Sequence, residues 1–199
     1  MTGADPGERA AIDQLLQQCA RSDQSAAAQS AFAELYRRTS PRLFALCLRM
    51  LHERSAAEDL LQDTFVTVWR RAASFDAARG SAITWLITLT RNKAIDRLRA
   101  QRETAVDPLA ALDYASAAAD ASESGGRLSP AAAVEDLQEY RRLQRCLEQL
   151  DPQPQNFIRE AFFSGGTYQE LAERSQVPLG TMKSWIRRGL LQLRKCLER

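Results

Sequence analysis

Apolar residues recur along this chain at helical rather than strand spacing. Between Ser55 and Arg71, Leu61, Phe65, Val68 and Trp69 fall at i, i+4, i+7 and i+8, while Asp59, Gln62, Asp63 and Arg70 take the opposite side. That stripe predicts an amphipathic helix. A second helix is predicted from about Ala82 to Arg102, with Trp85, Leu86, Leu89 and Leu98 apolar. Its later half is basic, with Arg91, Lys93, Arg97, Arg99 and Arg102. No strand alternation is found, so the expected fold is all-α.

Start and stop signals punctuate the pattern. Ser55–Glu58 and Thr167–Glu170 each fit a capping box, in which a hydroxyl and a carboxylate satisfy orphan amides reciprocally. Ser40-Pro41, Ser129-Pro130 and Asp151-Pro152 each place a capping side chain before a proline suited to the first helical position. Gly165-Gly166 marks a stop.

The composition changes midway. From about Glu103 to Ser129 the chain is rich in Ala, Ser, Asp and Gly and offers little to bury. This divides the sequence into an N-terminal helical domain, an unstructured acidic linker and a C-terminal helical domain whose patterning resumes near Pro130. About 30 flexible residues reach roughly 100 Å at full stretch, more than the roughly 70 Å of two duplex turns.

Residues Thr167 to Leu193 have the layout of a helix-turn-helix. A short capped helix from Tyr168 to about Ser175 is followed by Gln176–Gly180 and then a longer basic helix. Ala172 is small where crossing helices approach. Leu171, Val177, Met182 and Ile186 can form the shared core. Thr181, Lys183, Ser184, Arg187 and Arg188 then occupy the exposed half of the second helix, the half that enters a major groove in this motif. Arginine bonds guanine bidentately, while Lys and Ser suit phosphates. Spacing alone leaves a helical hairpin with a solvated basic face as an alternative. The turn carries Gln176 where many such motifs carry Gly.

Overall numbers add less. Of 199 residues, 45% are hydrophobic, which is enough for packed cores. The net charge of +2 conceals a basic C-terminal helix and an acidic linker that cancel. The four cysteines, Cys19, Cys47, Cys146 and Cys196, lie far apart. They read as small buried or half-buried thiols, with no metal or cofactor signature. No apolar run is long enough to span a bilayer. The N-terminal region, with Asp5, Glu8 and Asp13, does not resemble a secretory signal, so a cytoplasmic location is expected. No catalytic constellation is visible, and His52 falls at a helix end.

With both domains in view, the chain resembles the extracytoplasmic-function (ECF) sigma factors of the sigma-70 family. Ala57–Trp69 and Trp85–Arg99 look like their region 2, and Val177–Arg188 looks like their region 4. The resemblance covers roughly residues 28–102 and 134–197, and so implies an N-terminal extension (1–27), region 2 (28–102), a linker (103–133) and region 4 (134–199). It implies binding to core RNA polymerase and promoter DNA, with no small-molecule substrate and no catalysis. It also implies control by an anti-sigma factor, often membrane-anchored in this family. Asp59, Gln62, Asp63, Phe65 and Trp69 would face the polymerase, although Phe65 and Trp69 also suit the core. Ser74–Ser81 would be the loop that captures an extruded minus-ten base, with Phe75 and Arg79 as contacts. Phe75 could equally close the core. Arg91, Asn92, Lys93 and Arg97 would hold the adjoining backbone. Thr181, Lys183, Ser184, Arg187 and Arg188 would read the minus-thirty-five element. Two other classes fit part of the pattern. A stand-alone helix-turn-helix repressor explains the C-terminal motif but not the Asp59–Trp69 helix. A helical module that mimics a sigma factor to sequester an anti-sigma factor would bind that partner without supporting transcription.

Overall fold

A computed structural model describes residues 6–20, 25–104 and 141–198, and every regular element among them is helical. Most of the linker and the Ser129-Pro130 start signal lie outside the described residues. Two compact units are distinguished, one within residues 4–128 and the other chiefly within residues 129–199.

The first unit contains α1 (Pro6–Ala20), α2 (Ala26–Leu51), α3 (Arg54–Arg71), a 3-10 turn (Ala72–Ser74) and α4 (Ala82–Thr104). The long helix α2 packs against α1, α3 and α4. Its buried side is a row at every fourth residue, Ala31, Leu35, Thr39, Leu43 and Cys47. The row runs straight through Pro41. The expected helix start at Ser40-Pro41 is therefore corrected, since Pro41 lies inside α2, which begins at the Ser25 cap instead. An interior proline costs about 3 kcal/mol, and the unbroken buried row on both sides of it offsets that cost.

Another start signal also shifts. The cap of α3 is Glu53, whose carboxylate accepts from the amides of Ser55 (2.7 Å) and Ala56 (2.6 Å). Ser55 sits in the first turn, and Glu58 pairs with Arg54 at 2.9 Å. Glu53 starts the helix two residues earlier and meets the first orphan amides, those of Ser55 and Ala56, with a charged acceptor, which favours it as the cap. His52 closes α2 in the left-handed region, its amide bonding the Leu48 carbonyl.

Residues 1–27, expected as an extension ahead of the domain, contribute α1 to the first core. Ile12, Leu16 and Cys19 are buried there. The buried threonines Thr39, Thr64 and Thr90 each donate to the carbonyl four residues back, so their hydroxyls are satisfied inside the core.

The second unit contains α5 (helical over 141–148), α6 (Pro152–Phe163), α7 (Tyr168–Arg174) and α8 (Leu179–Leu197). Pro152 opens α6 after Asp151 as expected, but the Asp151 side chain makes no capping hydrogen bond. The capping box of α7 is complete: Thr167 Oγ1 accepts from the Glu170 amide at 3.2 Å, and Glu170 accepts from the Thr167 amide at 2.6 Å. Arg174 of α7 pairs with Glu160 of α6.

One cysteine expectation is overturned here. Cys146 of α5 and Cys196 in the last turn of α8 form a disulfide, with their Cα atoms 5.8 Å apart. Helix packing brings together residues that have no motif spacing. Cys19 and Cys47 are buried free thiols. Burial pushes the Cys47 thiol up to about 12 and raises that of Cys19, so both stay protonated and inert.

Candidate nucleic-acid interface

Helices α7 and α8 meet across a small core of Leu171, Ala172, Met182 and Ile186, with Val177 and Phe157 packed against it. The Phe157 and Trp185 rings stack, with centroids 5.9 Å apart. Gly189 lets α8 approach α6 closely. A Cβ there would lie 2.8 Å from Ile158 Cδ1 and 3.1 Å from Pro154 Cβ. The turn between α7 and α8 holds Gln176 in the left-handed region at φ 54. A side chain there costs about 1–2 kcal/mol, which glycine would avoid.

This packing aims the sequence-predicted residues of α8 outward. Lys183, Ser184, Arg187 and Arg188 are exposed, and Thr181 is half-buried. No acidic residue lies between Leu179 and Leu197. Arg188 Nε donates to the Ser184 carbonyl at 3.4 Å, a weak contact that a base or phosphate can displace.

In the first unit, Asp59, Gln62 and Asp63 are exposed on α3, Phe65 is buried and Trp69 is half-buried. Phe65 packs against Tyr36 at 4.6 Å, and Trp69 packs against Phe32 at 5.0 Å. Phe65 thus belongs to the core. Val66, which the sequence pattern did not single out, is 50% exposed on α3. It lies seven residues after Asp59, on the face shared by Gln62 and Asp63. The signal was present as the one apolar residue at i+7 of a polar row.

The loop between the 3-10 turn and α4 is held by its own backbone. Asp76 Oδ1 accepts from the Ala78 amide at 2.9 Å, and the Asp76 carbonyl accepts from Arg79 at 3.0 Å. Gly80 has φ 153, a conformation open to glycine and strained for other residues. Phe75 is half-buried, its ring 6.1 Å from that of Trp85, while Arg79 is exposed. On α4, Asn92 is exposed, and Arg91, Lys93 and Arg97 are half-buried. These four do not form one stripe. Lys93 and Arg97 are one turn apart, whereas Arg91 stands roughly 120° around the helix from Arg97.

Fold and surface together define a transcription factor of the sigma-70 type. Residues 35–104 match Sigma-70 region 2, and residues 140–193 match Sigma-70, region 4. The ECF RNA polymerase sigma factor SigK of Mycobacterium bovis is 35% identical over 203 residues, covering 100% of this chain and 99% of that one. The protein of the same name from Mycolicibacterium vanbaalenii is 34% identical over 188 residues, covering 94% and 90%. Rhodobacter sphaeroides SigE, solved in complex with the anti-sigma ChrR, is 29% identical with a TM-score of 0.43, covering 96% and 99%. The chain belongs to the ECF RNA polymerase sigma factors. It is a regulatory protein of transcription initiation. Among the described residues, no helix is long and apolar enough to cross a membrane.

Proposed function

We propose that this sigma factor divides its work among the surfaces described above. The α3 face with Asp59, Gln62, Asp63 and Val66 docks on core RNA polymerase, with the partly covered Trp69 at its margin. Phe65 supports that face from beneath. Phe75 and Arg79 take part in capturing a flipped minus-ten base, whose unstacking costs a few kcal/mol that the pocket must offset. Arg91, Asn92, Lys93 and Arg97 hold the neighbouring backbone. Thr181, Lys183, Ser184, Arg187 and Arg188 read the minus-thirty-five element. The protein acts in the cytoplasm, catalyses no reaction and answers to an anti-sigma factor. Family membership supports that regulation.

The observation that carries this reading is the exposed basic row of α8, set on a core of Met182 and Ile186. The test is reconstitution with core polymerase, followed by sequencing of transcript 5′ ends. Starts clustered behind a common pair of promoter elements are expected. Core polymerase binding without promoter-directed transcripts would instead favour a sigma mimic.

A further inference from the structure

The carboxylate of Asp13, in the middle of α1, accepts a hydrogen bond from the Ala82 amide at 2.6 Å, across 69 residues of sequence. Ala82 is the first residue of α4, and its amide is one of the donors that a helix leaves unsatisfied at its start. Ser81 provides the local cap: its carbonyl accepts from Trp85 at 3.1 Å, and its hydroxyl accepts from Thr84 at 3.4 Å. The Ala82 amide is left for a partner from elsewhere, and α1 supplies it. A carboxylate at a helix start is also favoured by the helix dipole.

The bond sits within a wider contact. On α1, Ile12 and Leu16 flank Asp13 and are buried; on α4, so are Ala82 and Ile83. The same helix α1 packs against the 3-10 turn at 72–74, where Ala72 is 1% exposed. The two supports of the 75–81 loop, the turn that enters it and the helix that leaves it, therefore both rest on α1. Between them, residues 76–80 are exposed and are shaped by the Asp76 turn and the conformation of Gly80. Where the loop stands is set largely by what holds its ends.

We propose that Asp13 is a positioning residue for minus-ten recognition: through the Ala82 amide it fixes the outgoing end of the 75–81 loop, and so the place of the base-capturing residues. This rests on the reading of that loop given above. Asp13 touches no DNA. Its loss leaves the α3 docking face and the α8 helix intact, so it acts on one promoter element alone.

The test uses the full chain bound to core polymerase, on a promoter located by the transcript mapping above. The readout is the ratio of abortive transcript from that promoter to transcript from a copy with its minus-ten bases scrambled. Affinity for core polymerase and helical content are measured alongside. Three variants are compared: Asp13→Ala, Asp13→Asn and the loop variant Phe75→Ala/Arg79→Ala. Asp13→Ala should lower the ratio about tenfold, the factor that a loss of about 1.4 kcal/mol gives, with core affinity unchanged. Asp13→Asn, which keeps the acceptor oxygen, should recover most of the ratio. If the loop variant loses selectivity while Asp13→Ala keeps it, the positioning role is wrong and the loop reading stands. If the loop variant keeps selectivity, the loop reading fails and takes this proposal with it. Loss of core affinity or helical content in Asp13→Ala, or no recovery in Asp13→Asn, would reduce Asp13 to a folding role and overturn the proposal.

Discussion

Arg97 of α4 and Asp59 of α3 lie 3.7 Å apart, guanidinium to carboxylate. Sequence reasoning gave these residues to different partners, Arg97 to DNA and Asp59 to polymerase. The structure brings them to a shared edge of the first unit. Each partly neutralises the other's charge.

The pair should contribute little to stability. The Asp59 side chain is 65% exposed and that of Arg97 34%, so solvent screens their attraction. A double-mutant cycle of Asp59→Ala and Arg97→Ala, followed by urea denaturation, should give a coupling below about 1 kcal/mol. A much larger coupling would make the pair a structural lock rather than a meeting of two surfaces.

Asp63 offers a cleaner probe of polymerase binding, being exposed one turn from Asp59. Asp63→Arg should weaken competition for core polymerase by about tenfold or more, roughly 1.4 kcal/mol. Binding of α8 to minus-thirty-five DNA should be unaffected. Undiminished competition would remove Asp63 from the docking face.

On α8, Arg187→Ala or Arg188→Ala should relax the base preference at one minus-thirty-five position by about 1–3 kcal/mol. Lys195→Ala, exposed in the last turn, should weaken binding evenly and lower the salt slope. Selection from randomised duplexes separates these outcomes. An unchanged preference in both arginine variants would count against α8 as the reading helix.

The Cys146–Cys196 disulfide closes a sequence separation of 50 residues. Chain-entropy reasoning gives a stabilisation of up to about 4 kcal/mol for such a loop. Cys146→Ser, or reduction by dithiothreitol, should move unfolding of the second unit to lower urea. The transition of the first unit should stay in place, because its cysteines carry no bridge. Coincident second-unit transitions with and without reductant would refute the stabilising role.

Acid should act on the start of α3. The amides of Ala56 and Ser55 hold the Glu53 carboxyl below its ordinary value of 4.5. Its contribution is therefore complete above about pH 4.5 and is lost as pH falls through the lowered value in the fold. Thermal melts at pH 7 and pH 3 should show a smaller acid loss for Glu53→Gln than for the parent. Equal losses would point to other carboxylates. Glu34 is one such group, held at about 2 by hydrogen bonds from Arg37 and Arg38.

Much of this architecture was legible because α3 and α8 declare themselves by periodicity and α7 by its capping box, signals that depend on neighbours a few residues apart. The helix-turn-helix core of Leu171, Ala172, Met182 and Ile186 could be read for the same reason. What escaped depended on partners distant in sequence or on competition between local signals. Pro41 looked like a helix start because proline's local preference is strong, yet tertiary burial along α2 prevailed. Ser55 looked like a cap, but the neighbouring Glu53 is the better acceptor. The Cys146–Cys196 bridge and the Asp13–Ala82 bond span 50 and 69 residues, distances at which spacing carries no signal. Residues on α8 were legible as a row, whereas those on α4 were not, because a basic run read by composition ignores the 100° step between neighbours.

Gly189 makes α8 a lever with a fixed fulcrum. The end of the helix proposed to read DNA begins ten residues earlier, at Leu179, about 15 Å away along the axis. A tilt of about 10° at the fulcrum would swing that end by roughly 3 Å, while a hydrogen bond tolerates only a few tenths of an ångström. A side chain added at 189 would push on Ile158 and Pro154, a modest insult to packing but a large error of aim. On the proposed role of α8, a substitution at Gly189 should therefore change promoter choice by more than its cost to packing alone would suggest.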